Sequence, residues 1–334
     1  MKSENKLKVG ILGVGHLGMI HLKCIQEVSA FEVVGIYDPD EQKMTNAASK
    51  YKVRPFSNES TLLQEVDAVI IVSPTTTHFE LAKAAICRGI HVFIEKPVTE
   101  TPDEAKTLLE LSHQHNVIAQ VGHVERFNPA FTAIKDMQLV PMFIEVHRIA
   151  TFNPRGMDVS VVLDLMIHDL DIILSMVDAE VKQIRASGVG VIGKLPDIAN
   201  ARIEFENGCV ANLTASRMSF KQMRKLRLFQ QDAYISMDFL EKETTIIRLY
   251  EEGNEHIPEG ISLMELNTDE AKKFVHIEQA ETIPANAIQD ELKAFANAIL
   301  EGKTPAVSLE DGYRALKLAF GILNEIEKQK FHVS

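Results

Sequence analysis

"LKVGILGVGHLG", residues 7–18, decides the fold. A short apolar run rich in β-branched residues ends in Gly13, Gly15 and Gly18, the G-x-G-x-x-G spacing, and a helical pattern follows at once. The spacing alone says little, because glycines recur in turns. Directly after a strand and at the start of a helix, it reads as a dinucleotide-binding turn. The first glycine permits the tight turn, the second lets backbone approach a pyrophosphate, and the third lets helix pack on strand, while the helix N-terminus favours the anion. His16 and Leu17 belong to the same turn and join the three glycines as expected cofactor-binding residues. Asp38 ends the next predicted strand, where a carboxylate accepts hydrogen bonds from an adenosine ribose. Standing before Pro39, it would pass for a plain turn residue without the glycines upstream. No arginine accompanies it in "YDPDEQK" (37–43) to neutralise a 2′-phosphate, so NAD is expected rather than NADP.

Outward from this turn, strands are expected at 7–13, 32–38, 67–73, 90–96 and 117–122, with helical stretches such as 77–88 and 102–115 between them. That alternation predicts a parallel sheet wound by helices, a Rossmann domain over 1–125. After "ERFNPAF" (125–131) and a helix ending near Met137 the pattern changes. Longer alternating runs at 141–151, 181–191, 198–217, 225–239 and 243–250 predict a large, open, mainly antiparallel sheet, with "ENGC" (206–209) as a hairpin turn. Helices at 286–301 and 309–328 close the chain, the second opening on "SLED" (308–311), which resembles a capping box. The expected fold class is therefore α/β: a doubly wound Rossmann domain followed by an α/β domain over 126–334.

At 334 residues the chain exceeds what one core usually serves, which agrees with two domains. A net charge of -12 offers no basic footprint for nucleic acid or an anionic membrane. Cys24, Cys87 and Cys209 are odd in number and far apart, as suits reduced thiols, and show no zinc spacing. The N-terminus has no signal-like apolar stretch, and no run reaches membrane-spanning length. A cytoplasmic protein without a metal site is expected.

A second stretch carries chemistry. "SVVLDLMIHDLDIIL" (160–174) is mostly aliphatic yet contains Asp164, His168, Asp169 and Asp171. At about 100° per residue, Asp164, His168 and Asp171 share a narrow arc, opposite Leu163, Met166, Ile167, Leu170, Ile173 and Leu174. Either the helix lies on the surface with its acids in water, or it aims a carboxylate and an imidazole, one turn apart, into a cleft. Asp169 and Asp171 are assigned to structural hydrogen bonding or solvent.

With "GVGHLG" (13–18), "VSPTTTH" (72–78), "EKP" (95–97) and the D-x-x-x-H of "LDLMIHD" (163–169) in this order, nearly the whole chain resembles the Gfo/Idh/MocA family of sugar and inositol dehydrogenases. The resemblance implies a nicotinamide cofactor, a C-terminal sheet that supports dimers or tetramers, and a catalytic group of Lys96, Asp164 and His168. The residue types suit alcohol oxidation, which needs a base for the hydroxyl proton and a cation or donor for the developing alkoxide. His168 is assigned as base, since imidazole titrates near neutral pH. Lys96 would hold the hydroxyl and the nicotinamide ribose. Asp164 would orient substrate or imidazole and balance the lysine.

A lone lysine is usually a solvated charge, but Lys96 closes a buried strand and precedes Pro97, which restricts it to extended backbone. A lone histidine in an apolar segment is more often a core residue, as fits His78, His123 and His147; His168 differs in sharing a face with Asp164. Ser73, Pro74, Thr75, His78, Glu95, Lys96 and Pro97 follow strand ends, where such sheets bind ligands, and are expected around the cofactor. Arg126 is expected at cofactor or substrate. Asn128 and Arg155 join Lys96, Asp164 and His168 on the substrate side, although Asn128 also reads as a helix-start turn before Pro129.

"RGMDVSVVLDLMIHDLD" (155–171) replaces the glycine-rich stretch of many family members and resembles the nucleotide-sugar branch, D-V-G-V-x-x-D-L-x-x-H-D-x-D, with Ser160 in place of a glycine. "GHVERFNPA" (122–130) fits the same branch. The implied substrate is UDP-N-acetylglucosamine, oxidised at its 3-hydroxyl, or a related UDP-sugar. Alternatives are an inositol or free-sugar dehydrogenase, or a non-catalytic sensor of NAD or sugar on the same fold. Retention of Lys96, Asp164 and His168 speaks against the sensor. Arg217, Lys221, Arg224, Lys225 and Arg227 form a basic stretch that either grips a diphosphate or lines one exposed sheet face or subunit contact.

Overall fold

The computed structural model describes residues 6–152, 159–251, 262–267 and 272–330. The chain divides into two compact units, Met1–Phe127 with Asn286–Lys317, and Asn128–Ala285 with Leu318–Ser334. The sequence-based boundary at 125/126 lies two residues from the first crossing. The return of 286–317 to the first unit was not part of that expectation.

The first unit alternates β1 (Leu7–Leu12), α1 (His16–Ile25), β2 (Phe31–Tyr37), α2 (Glu41–Tyr51), α3 (Glu59–Leu63), β3 (Ala68–Ile71), α4 (His78–Ile86), β4 (His91–Glu95), α5 (Pro102–Gln114) and β5 (Ala119–Gly122). All pairs are parallel, in the order β2-β1-β3-β4-β5. Val69, Ile70, Ile71, Val92, Phe93 and Ile94 are completely buried, as strands covered on both faces require. Helix starts are written locally: Asp40 accepts the N–H groups of Gln42 and Lys43, and Thr101 forms a capping box with Glu104.

The second unit opens with α6 (Pro129–Thr132) and β6 (Phe143–Thr151), and its helix α7 (Ile167–Met176) follows a π-helical turn at Val162–Met166. Then come β7 (Val181–Val189), β8 (Ile198–Phe205), β9 (Val210–Ser219), β10 (Met223–Phe229), β11 (Ala233–Asp238), β12 (Glu243–Glu251), β13 (Met264–Asn267) and β14 (Lys272–Gln279). The nine strands run β13-β14-β12-β11-β10-β6-β9-β8-β7, antiparallel except for the parallel pair β6–β9. Alternation sends Ala199, Ala201, Ile203 and Phe205 to the covered face, where Leu170 and Ile173 of α7 join one core. The helix expected to end near Met137 is only the four residues of α6, and β13 and β14 extend the sheet beyond the strands read from sequence. The "ENGC" turn links β8 and β9 as expected, with Asn207 Oδ1 accepting the Cys209 N–H.

Helix α8 (Ala287–Glu301) completes the first unit by packing Leu292, Phe295 and Ala296 into the core around Ile11, Leu22, Phe31 and Phe93. Phe93 and Phe295 meet edge-on at 5.9 Å, an arrangement that contributes about 1 kcal/mol beyond burial. Helix α9 (Leu309–Lys330) begins in the first unit and ends in the second. In its "SLED" start Ser308 Oγ accepts the Asp311 N–H at 3.2 Å, and Asp311 Oδ2 accepts the Ser308 N–H at 2.8 Å, so aspartate does the work of the usual Glu. No described helix is long and apolar enough to cross a membrane, and no group of three potential ligands for a metal ion occurs among the described residues.

Candidate active site

In the first unit the candidate residues stand at the carboxyl ends of the parallel strands. Gly13 has φ +95°, and a Cβ there would lie 2.6 Å from the Ser73 backbone nitrogen; at Gly18 a Cβ would run into the Gly13 carbonyl. Both positions therefore demand glycine. At Gly15 the space is open, and α1 starts there with no side-chain cap and no acid in its first turn. Such a helix start fits a pyrophosphate. His16 and Leu17 stand exposed beside it. Asp38 is buried: Oδ2 accepts the Val14 N–H at 2.8 Å and Oδ1 the Asp40 N–H at 2.9 Å. The carboxylate thus braces the glycine turn from the end of β2, the position at which a ribose-binding carboxylate is expected. These residues fit an NAD adenosine and pyrophosphate.

In the strand order β2-β1-β3-β4-β5, a dinucleotide held at the ends of β2 and β1 would have the ends of β3 and β4 next to it. There Ser73 Oγ pairs with Thr77 Oγ1 at 2.6 Å, followed by exposed Pro74 and half-buried Thr75. Lys96 and Pro97 are half-buried and joined by a cis peptide bond. Glu95 is buried; its Oε1 accepts from His21 Nε2 at 2.7 Å and its Oε2 accepts the Lys96 N–H at 3.0 Å.

His78 departs from its expected place against the cofactor. It is 1% exposed, with Nδ1 at 3.0 Å from the Pro97 carbonyl and Nε2 at 2.9 Å from the Ser73 carbonyl, so it fastens two site loops from behind. Burial lowers its pKa from the usual histidine value, against the opposing pull of the Ser73 and Pro97 carbonyls and the Glu95 charge. Arg126 has Asp311 as an ion-pair partner, at 3.7 Å.

In the second unit Asp164 sits on the π turn and His168 at the start of α7, both half-buried. A π turn closes one residue later than an α turn, so residues four apart lie more nearly in line across it than the 100° step implies. Asp171, three residues after His168 within α7, is buried, in keeping with its assignment to structural hydrogen bonding. Ser160 caps this segment, its Oγ accepting the Val162 N–H at 3.2 Å, which gives the residue in the glycine position a role of its own. Asp169 faces Arg148 of β6 in a buried, forked ion pair, with Nε–Oδ2 at 2.9 Å and Nη2–Oδ1 at 2.7 Å. That pair ties α7 to the sheet. Asn128, expected at the substrate, instead caps α6 by accepting the Ala130 N–H and donates to the Phe239 carbonyl. Arg155 lies outside the described residues.

The basic stretch does not form one patch. Arg217 is buried, with Nε at 3.4 Å from Asp197 and Nη2 bonded to the Val159 and Pro196 carbonyls. Lys225 pairs with Asp238 at 3.2 Å and Arg227 with Glu145 at 3.0 Å, while Arg224 takes the covered side. Arg217 is buried and Arg224 covered, while Lys225 and Arg227, two apart on β10, share the open face, so these five do not form a common diphosphate grip. Burial pushes the Cys209 thiol up to about 11, leaving exposed Cys87 as the accessible member of the three free cysteines.

The sequence reading assigned Asp169 to structural hydrogen bonding or solvent but did not name Arg148 as its partner, and it missed His21 as the partner of Glu95. The available signal was a buried-looking charge on an amphipathic element, which must find a counter-group; which group it finds is a tertiary fact.

A sequence profile described as an oxidoreductase family with an NAD-binding Rossmann fold (GFO_IDH_MocA) matches residues 7–123, and the GFO/IDH/MocA C-terminal domain matches residues 147–235. The chain is 34% identical over 96% of its length to UDP-N-acetylglucosamine 3-dehydrogenase of Acidithiobacillus ferrooxidans, 97% of which is covered. A solved structure of that dehydrogenase superposes with a TM-score of 0.87, at 33% identity over 97% of this chain and 98% of the other. Myo-inositol 2-dehydrogenase of Thermotoga maritima is 25% identical over 97% of both chains. Scyllo-inositol dehydrogenase of Lactobacillus casei, solved with NAD(H) and scyllo-inositol, shares the fold with a TM-score of 0.75 at 21% identity, over 97% of this chain and 98% of that one.

Proposed function

We propose that this chain, which belongs to the Gfo/Idh/MocA oxidoreductases and is an NAD-dependent dehydrogenase, oxidises the 3-hydroxyl of UDP-N-acetylglucosamine to a 3-keto nucleotide sugar. The observation that carries the substrate is the likeness, over almost the entire length, to an enzyme named for that reaction. The "DVSVVLDLMIHDLD" stretch supports it.

We assign Lys96, Asp164 and His168 to one hydroxyl. NAD, when bound, supplies the hydride acceptor. His168 takes the hydroxyl proton as the carbon–hydrogen bond breaks, and the Lys96 ammonium stabilises the oxygen while it carries developing negative charge. Asp164, one turn before His168, orients the imidazole or the sugar. Ser73, Pro74, Thr75 and Pro97 line the cofactor beside Lys96, and Arg126 and Arg155 serve the sugar or its diphosphate.

The test is a panel of UDP-N-acetylglucosamine, other UDP-sugars, free sugars and inositols, with NADH followed by absorbance. Oxidation of an alcohol by NAD is uphill, so a carbonyl trap is included. Mass spectrometry after deuteride reduction locates the new carbonyl. Turnover of UDP-N-acetylglucosamine with deuterium at carbon 3 is expected. Turnover of an inositol or free sugar, with none of any UDP-sugar, would replace this substrate.

The chain works in the cytoplasm as a homodimer or homotetramer, with copies meeting through the open face of the nine-stranded sheet. Phe143, Phe229 and Tyr234 form an aromatic row on that face, with ring centroids 6.0 and 4.9 Å apart. Light scattering should return a dimer or tetramer mass; a monomer would overturn this assembly.

A further inference from the structure

β4 ends in a charge that packing does not need. Val92, Phe93 and Ile94 are completely buried apolar residues, and the strand then places the Glu95 carboxylate, 7% exposed, at its carboxyl end. Burying a carboxylate costs free energy unless hydrogen bonds replace its water. The fold supplies them from two directions. His21, on the buried face of α1, reaches Oε1 at 2.7 Å, and the Lys96 amide reaches Oε2 at 3.0 Å. Room for the carboxylate is kept by Gly122 on β5, where a Cβ would stand 2.9–3.1 Å from the carboxyl atoms.

His21 itself is completely buried, with its ring 5.5 Å from that of Phe93. Its Nδ1 is buried and has no hydrogen-bond partner among the described residues. The imidazole is therefore held for what Nε2 does, which is to donate to Glu95. A buried pair of this kind is weak evidence of stabilisation, because an apolar pair of the same volume usually does as well. Its value lies in direction: one carboxylate joins the helix that starts at the pyrophosphate turn to the backbone of the strand-end lysine.

We propose that His21 is a positioning residue for Lys96, acting through Glu95. This rests on the assignment of Lys96 to the substrate hydroxyl, and the experiment separates the two. His21→Leu removes the donor, whereas His21→Gln offers an amide N–H near the position of Nε2. A misplaced reacting group costs up to about 10²-fold. His21→Leu should therefore lower kcat by about 10–100-fold while changing the Kd for NAD by less than about threefold, and His21→Gln should recover most of the loss.

The second readout needs no substrate. With isotopically labelled lysine, the Lys96 amide proton is identified by its disappearance in Lys96→Arg. Bonded to a carboxylate, it should resonate downfield, shift in His21→Leu and return in His21→Gln. An unmoved amide in folded His21→Leu overturns the proposal even if the substrate has been misassigned. So does wild-type kcat in that variant, or a folded His21→Gln that restores neither signal nor rate. Should His21→Leu not fold, Glu95→Gln, which keeps the shape and removes one acceptor oxygen, must show the same amide shift and loss of kcat, or the link is wrong.

Discussion

The two units hold their functional groups in different ways. In the first, the candidate residues stand on turns after β1, β2, β3 and β4, and most of the shaping is done by backbone: the positive φ of Gly13, the amides that Asp38 accepts, the carbonyls against His78. In the second, Asp164 and His168 stand on one helical segment, and side chains fix it through the Arg148–Asp169 pair. Backbone turns tolerate few residue types but many neighbours. A helix pinned by one buried ion pair tolerates the reverse.

The largest effect should come from the reacting groups. His168→Asn and Lys96→Met should each lower turnover by about 10²–10⁴-fold, the usual range for losing acid–base or charge-stabilising groups, with NAD binding retained. Steady-state kinetics with a binding titration decides it. Near wild-type activity in either variant would move the chemistry out of that unit.

Next comes the anchor of α7. Arg148→Met leaves Asp169 buried without its counter-ion and should cost about 3–5 kcal/mol in urea unfolding. Adding Asp169→Leu should return most of that stability without returning turnover, if the pair serves to orient the helix. A cost near zero in the single variant would erase the contrast between the units.

A smaller effect is expected at Asp38. Asp38→Ala strands the Val14 and Asp40 amides, at about 1–3 kcal/mol, and removes the carboxylate that disfavours a 2′-phosphate. NAD affinity should fall and discrimination against NADP should shrink, measured by paired titrations. Lost stability with unchanged selectivity would reduce Asp38 to a brace.

The smallest concerns His78. Because its pKa is lowered in the folded chain by burial, the unfolded chain takes up the proton first as pH falls, and stability drops as pH goes below the ordinary histidine value of about 6.5. Melting curves between about pH 7 and pH 5 should slope more steeply for wild type than for His78→Gln. Equal slopes would mean that His78 does not contribute.

This contrast also governs what could be read from the sequence. The glycine turn, the β4 terminus and the parallel strands were legible because backbone demands restrict residue type at fixed spacing. Asp164 and His168 were legible as a pair, but the π turn at Val162–Met166 that carries Asp164 was not, because a uniform 100° step has no place for it. Arg217, Lys225 and Arg227 looked like one cluster, but only Lys225 and Arg227 share a sheet face, while Arg217 is buried on β9 beside Asp197. The amphipathic pattern of 286–301 announced a helix, and its owner was decided by contacts with residues more than 190 positions earlier, such as Phe93.

That last helix has a consequence for inheritance. Since Phe295 of α8 packs against Phe31 and Phe93, a segment ending at residue 127 encodes a cofactor-binding unit with an open apolar wound. A single recombination event cannot carry the unit into another protein intact. It must travel as two pieces of gene, or be given a new lid where it lands.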